Sequence, residues 1–347
     1  MTLTNSILAR WQHVKSLGSD GALREAVRKI PKHELHVHLA GSIRRATALE
    51  LAQRYGVALP CAAADFLSAP APLLCFSGDD IWSRFHATYL WHWSCVQRVE
   101  DLQRVLQEAL EDAAAQGVVY SEYTISGSYV LANFSWDEWT SALAETIDAA
   151  QHSFGICGRV ILDISRRRGP ALALETVQQI ASDRPRAICG IGLGGDEVRY
   201  PHRLFHAAFA CARAEKIFST VHVSEFTDGA TTTEALDTLQ PDRLGHALTT
   251  HRDTAAYAHL RSSGRHVESC PACNVIMGVD GIEHFADHPI RKYFDAGIPL
   301  GINTDDPQIL GIDLLDVYVA LARTLDFSLE DFAAMNAQAQ RVRFCSV

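Results

Sequence analysis

No apolar run in the chain approaches the ~20 residues that a membrane-spanning helix needs, so a helical membrane protein is not expected. The stretch from Met1 to Lys32 lacks a basic start followed by an apolar core, so no secretory signal is expected either. Basic charge is also short. Lys and Arg number 31 against 41 Asp and Glu, a formal charge of −10. Phosphate backbones are bound by basic patches, so no nucleic-acid partner is expected. The one basic run, Arg166-Arg167-Arg168, reads as a solvated loop after a strand. Internal repeats and low-complexity segments are absent. The nine cysteines are odd in number and scattered through apolar stretches such as those holding Cys157, Cys189 and Cys211. That pattern suits reduced thiols in a cytoplasmic protein better than a disulfide framework.

What the chain does contain is a regular alternation. At 347 residues, 48% hydrophobic and 21% charged, it has the size of one α/β barrel. Eight short β-like runs span 34–39, 118–125, 158–164, 188–193, 218–223, 243–247, 266–269 and 299–303. Helical patterns lie between most of them, at 99–116, 136–152, 171–182 and 201–216. Such alternation implies parallel strands joined by right-handed crossovers, and eight units predict a closed (β/α)8 TIM-type barrel. Residues 1–347 are therefore read as one barrel domain, with 30–125 holding the first strand and a helical insertion.

That insertion is the one break in spacing: about 80 residues separate the first run from the second. It carries Pro60, Pro70 and Pro72 and the aromatics Trp82, Phe85, Tyr89, Trp91 and Trp93. An insertion after a barrel strand lands on the catalytic face and can wall or cover a site. Aromatics at helical spacing equally serve as the core of an extra helical layer. Both readings stand at this point.

Ionisable residues collect at the ends of four runs. His36 and His38, two apart on a strand, point to one face. His222 closes the fifth run with Glu225 three residues on, His246 closes the sixth, and Asp305 and Asp306 follow the eighth. A lone His-x-His is weak evidence. Four such coincidences at the carboxyl ends of barrel strands, where these folds carry chemistry, point to a site. Three histidines and a carboxylate suffice for a hydrolytic zinc.

The segment 31–39 (PKHELHVHL) with Gly41-Ser42-Ile43 resembles the opening motif of the adenosine deaminase family. The resemblance continues through 192–197 (GLGGDE), the His222/Glu225 pair, 243–246 (RLGH), 268–271 (ESCP) and 303–307 (NTDDP), in the family's order. It implies one zinc held by His36, His38, His222 and Asp305. It further implies that Glu225 gives a proton to purine N1, His246 orients the attacking water, Asp306 bonds N7 and the Gly195 backbone meets N3. The implied activity is hydrolytic deamination of a 6-aminopurine nucleoside, adenosine or a modified adenosine. The pair Cys270 and Cys273 reads as two reduced thiols near that site, because no His-x-Glu lies upstream.

The chain departs from the pattern at Ala40, a substrate-contact position where adenosine-specific members carry aspartate, adenine-specific relatives glutamate and a nucleotide-acting branch asparagine. Alanine cannot hydrogen-bond to a 5′-hydroxyl, which opens the site to a 5′-substituted nucleoside or another aminopurine. Val223-Ser224 replaces the family's Ala-Gly and is expected to narrow the site. Alternatives are deamination of a pterin-like base, ring-amide hydrolysis, or a ligand-binding relative without activity. No lysine ends a run to bridge two metals, which argues against ring-amide hydrolysis.

Overall fold

The computed structural model describes residues 2–67, 72–78 and 80–344; Pro70 and Cys345 lie outside them. The expected barrel is present. Its strands are β1 (Lys32–His38), β2 (Val118–Ser126), β3 (Cys157–Asp163), β4 (Ile188–Leu193), β5 (Phe218–Val223), β6 (Arg243–His246), β7 (His266–Ser269) and β8 (Leu300–Ile302). They form one eight-stranded sheet in sequence order, each strand parallel to the next. Runs such as Val160-Ile161-Leu162 are buried on both faces, as parallel strands under a helical layer must be.

The crossover helices follow from amphipathic spacing. Val99–Ala115 buries Leu102, Val105, Leu106, Ala109, Leu110 and Ala113, one stripe at helical period. The Asp101 carboxylate accepts the Arg98 N–H at 2.9 Å and so caps the first turn. Trp136–Phe154 stops at Gly155, whose φ of 71° is the left-handed conformation that ends helices. The pattern expected over 201–216 resolves into a 3-10 turn, His202–Phe205, and a helix, His206–Ala214.

Between β8 and β1 the ladder is reduced to a bridge pairing Val37 with Asp305. Asn303 completes the seam: its Oδ1 accepts the N–H groups of Leu35 and His36 at 2.8 and 3.1 Å. β8 ends at Ile302, one residue short of the expected 303, although the Asn303 N–H still donates to the Ser269 carbonyl at 2.9 Å.

The insertion contains helices Arg45–Tyr55, Ala63–Leu67 and Ile81–Ser94. The last has two faces. Trp82, Phe85, His86 and Tyr89, spaced at one helical period, line a cavity at the carboxyl ends of the strands, while Trp91 and Trp93 are buried in the core. Each sequence reading of the aromatics therefore holds for one face.

Two expectations are corrected. Cys61 and Cys75, within the insertion, form a disulfide, so the thiols are not all free. Their Cα atoms sit 5.5 Å apart, which lets the bond form without moving the backbone. Among the described residues, Cys95, Cys157, Cys189, Cys211, Cys270 and Cys273 form no disulfide. The basic run is not wholly solvated: Arg166 has no exposed surface. Its guanidinium donates to the carbonyls of Tyr200 (2.8 Å) and His222 (2.9 Å) and contacts His202 Nε2, a buried set of acceptors that pays for its desolvation. Among the described residues, no helix is long and apolar enough to cross a membrane.

Candidate metal centre and active site

The eight strands bring His36, His38, His222, His246, Asp305, Asp306 and Glu225 to one end of the barrel. Asp305 Oδ1 lies 3.3 Å from His36 Nε2 and 3.2 Å from His38 Nε2, and His38 Nε2 lies 3.2 Å from His222 Nε2. Tetrahedral zinc with bonds of 2.0–2.1 Å sets its ligand atoms about 3.3 Å apart. The spacing fits. Donor atoms of His36, His222, His246 and Asp305 all fall within 4.8 Å of one another, so His246 belongs to the same cluster, while His38 forms a second group with Asp305 and Asp306. Glu225 reaches it as well, with Oε2 3.5 Å from His246 Nε2.

The donor set also calls for a cation. Two imidazole nitrogens facing each other at 3.2 Å share one proton at most, and His222 Nδ1, both nitrogens of His246 and Asp306 Oδ1 are buried without a hydrogen-bond partner. The Glu268 carboxylate accepts from His36 Nδ1 at 2.8 Å, which fixes the tautomer and turns Nε2 to the centre. The residues present fit a bound metal.

Backbone strain concentrates here. Ser224 (φ 51°), His246 (59°), Ala247 (48°) and Asp305 (66°) hold left-handed conformations at the carboxyl ends of β5, β6 and β8. For side chains other than glycine this costs of order 1–2 kcal/mol each and persists only where surroundings enforce it. Two glycines permit the close approaches. A Cβ on Gly41 would strike Asp306, its Cα at 2.5 Å, and one on Gly245 would come within 2.8 Å of the His36 ring.

Electrostatically the carboxylates separate into two states. Burial opposes ionisation of Asp305, but His36 and His38 hold its pKa well below the usual range. Burial, reinforced by the Asp305 charge, pushes Asp306 up to about 8. Burial, with Asp305 and Glu197 nearby, holds Glu225 well above the ordinary carboxyl value. Burial drops His246 to about 3 and, with His36 and His246 beside it, His222 well below normal. Burial thus favours the protonated forms of Glu225 and Asp306, while the neighbouring histidines favour the ionised form of Asp305.

Gly195 (φ 95°) lines the cavity with open space where a side chain would stand, leaving its backbone accessible. Ala40 sits in the turn Ala40–Ser42 after β1, has no exposed surface and does not line the cavity. Ser224 does not narrow the site as expected. Its hydroxyl turns away to Asp228 O, Thr231 Oγ1 and Thr232 Oγ1 at 2.7–3.0 Å, and it is not part of the cavity wall.

Three residues received no role in the sequence reading of the site, although Glu197 and Glu268 lie within the motifs 192–197 and 268–271. Glu197 accepts the N–H groups of Ser224 and Glu225 at 2.9 and 3.2 Å and so fixes the loop bearing Glu225. Asp163 accepts those of Ser165 and Gly194 at 2.9 and 3.1 Å and shapes the Gly194–Gly195 turn. Glu268 orients His36. For Asp163 a signal existed: it closes β3, as the identified residues close their own strands.

The family model for adenosine deaminase matches residues 31–347. A putative adenosine/adenine deaminase of Streptomyces virginiae is 32% identical over 90% of this chain and 91% of its own. An aminodeoxyfutalosine deaminase of Acidothermus cellulolyticus is 33% identical over 86% of this chain and 84% of its own. Among solved structures, an amidohydrolase from Burkhoderia ambifaria with bound Zn superposes with a TM-score of 0.82 at 26% identity, covering 93% of this chain and 88% of that one. The cluster of histidines and aspartate described above agrees with the metal dependence of this group of enzymes. From the first strand onward, then, the chain belongs to the adenosine deaminase family and is a hydrolytic deaminase.

Proposed function

We propose that the chain deaminates a 6-aminopurine nucleoside, adenosine or a 5′-modified adenosine, to the 6-oxo product and ammonia, using one zinc ion. The carrying observation is the convergence of His36 Nε2, His38 Nε2, His222 Nε2 and Asp305 Oδ1 at ligand spacing, with Glu225 and His246 alongside. These four residues would hold the zinc, which when bound lowers the pKa of its water to about 7 and so supplies hydroxide near neutral pH.

Each remaining role follows from a protonation state. Glu225, kept protonated by burial, donates to purine N1 and makes C6 electrophilic. His246, kept neutral, has both ring nitrogens unpartnered and orients the attacking water while stabilising developing charge. Purine N7 is an acceptor and needs a donor; Asp306, with its pKa raised to about 8, supplies an O–H. The Gly195 backbone meets N3. Trp82, Phe85 and Tyr89 from the insertion, with Phe226, wall the cavity and exclude water.

Two observations support a 5′ modification. Ala40 offers no polar side chain for a free 5′-hydroxyl. Arg167, exposed on the cavity rim beside His86 at 3.3 Å, provides a cation for an anionic substituent. One relative is an aminodeoxyfutalosine deaminase, in keeping with that reading. The test is an ammonia-release screen over adenine, adenosine, 5′-modified adenosines, AMP and pterins, alongside metal analysis. Release from a 5′-modified adenosine with about one zinc per chain supports the proposal. A metal-free protein that turns over no aminopurine overturns it.

A further inference from the structure

Beneath the metal centre, at the opposite end of the barrel, the last described residues of the chain cross under the strands. The helix Leu329–Val342 ends there, and Phe344 enters the barrel floor with 3% of its surface exposed. Its ring stacks on Phe218 at the start of β5, centroids 5.1 Å apart and planes within 7°. It also fills the space beside Gly190, where a Cβ would come within 2.7 Å of the ring.

Above that ring lies Arg243, the first residue of β6, with its guanidinium carbon 3.5 Å from the ring centroid. Arg243 has no exposed surface and spends its donors on three acceptors. Nη1 donates to the Val342 carbonyl at 3.0 Å, Nη2 to Glu122 at 2.5 Å and Nε to Glu268 Oε1 at 2.6 Å. The Phe344 N–H in turn donates to Glu122 Oε1 at 2.7 Å. Glu268 Oε2 accepts from Thr220 Oγ1 at 2.9 Å and from His36 Nδ1 at 2.8 Å. One unbroken chain of contacts thus runs from the tail through Arg243 and Glu268 to a histidine of the centre.

We propose that Phe344 and the backbone of residues 342–344 act as a floor plug that positions His36 for metal, with Arg243 and Glu268 as positioning residues that transmit it. The physical argument is one of constraint. Arg243 carries a fixed fork of donors, and burial makes any unmade bond costly. Removing the ring loosens the tail and the Val342 carbonyl with it, which frees the fork to tilt; Glu268 follows it, and the His36 ring loses the fixed orientation that a metal ligand requires. Outer-shell partners of metal-bound histidines commonly carry 10–100-fold of metal affinity.

The inference rests on the zinc site proposed above, and its test reads metal affinity without turnover. Zinc affinity would be measured by competition with a chromophoric chelator on the full chain and on Glu268→Gln, Phe344→Ala and Val177→Ala. Val177→Ala removes a buried side chain from the helix Gly169–Asp183, which plays no part in the relay. Glu268→Gln is expected to weaken zinc by about 10–100-fold. Phe344→Ala is expected to weaken it by about tenfold while Val177→Ala, at a comparable loss of thermal stability, leaves it within about twofold. Unchanged affinity in Phe344→Ala, or an equal loss in Val177→Ala, overturns the plug. Should the wild-type chain bind zinc yet deaminate nothing, the proposed function fails and the plug can still be judged. Should it bind no zinc, both fail.

Discussion

Trp82 meets Phe226 edge to face, with ring centroids 4.9 Å apart, joining the helix inserted after β1 to the loop that follows β5 along the cavity wall. Trp82 also stacks near His86, at 6.0 Å. Aromatic pairs of this kind contribute ~0.5–1.5 kcal/mol beyond their buried area. Their position ties the loop bearing Glu225 to the insertion.

Opening that contact should weaken substrate binding more than chemistry. Trp82→Ala and Phe226→Ala are each expected to raise KM several-fold with kcat within about threefold. A double-mutant cycle on KM should show coupling of ~0.5–1.5 kcal/mol. Additive effects would mean that the two rings act separately.

Glu225→Gln keeps the shape of the side chain and removes the acid. Activity should fall by about 10²–10⁴-fold, the usual worth of a positioned general acid. Zinc content, read by atomic absorption, should stay unchanged because Glu225 is not in the proposed ligand set. Near-normal turnover in this variant would remove Glu225 from the mechanism.

Zinc removal should lower stability as well as activity. A ligand at ~1,000 times its Kd stabilises the folded state by about 4 kcal/mol. Chelation should therefore lower Tm by several degrees, and re-addition of zinc should restore both Tm and ammonia release. A Tm indifferent to chelator would contradict a tightly held metal.

Acid should unfold the protein from a defined pH. Burial holds His92 at about 4 and His266 and His288 at about 3, against an ordinary 6.5. His288 is buried, with His251 and His246 nearby; its Nδ1 accepts the Ile290 N–H at 3.2 Å and its Nε2 meets Asn274 Oδ1 at 3.3 Å. Between pH 6.5 and their folded values these groups bind a proton in the unfolded chain and not in the folded one. Stability therefore falls as pH drops below 6.5, by up to ~1.4 kcal/mol per pH unit for each group. Melts of the metal-free chain between about pH 7.5 and about pH 5 should show this, and His288→Gln should flatten the slope. An unchanged slope in that variant would assign the acid limb to other groups.

Ala40→Asp should restore a polar side chain after β1. The expected effect is a shift of kcat/KM toward unmodified adenosine by about tenfold, the worth of roughly one hydrogen bond. If the ratio of adenosine to a 5′-modified adenosine does not move, position 40 does not select the substrate.

Much of this was legible before folding. The short β-like runs located all eight strands because parallel barrel strands are buried on both faces and read as continuous apolar stretches. The ionisable residues closing β1, β5, β6 and β8 announced the centre because barrel side chains at carboxyl ends converge. Arg166 was misread because a run of three arginines looks alike whether its donors meet water or, as here, carbonyls of distant residues, Tyr200 and His222. The Cys61–Cys75 bond was missed for a related reason, since cysteine count says nothing of which thiols come within bonding distance.

By itself, then, the sequence determined the order of strands, the ionisable residues that gather at their carboxyl ends and the family, all of which are written in local period and residue type. Only the tertiary structure decided that Glu268 turns His36, that Glu197 and Asp163 hold the loops, and that Trp82 faces the cavity while Trp93 faces the core. It alone placed Asp305 and His246 in left-handed backbone, at φ of 66° and 59°. The reason is physical: buried polar groups take their partners from wherever packing brings an acceptor, and strain is tolerated only where many long-range contacts enforce it.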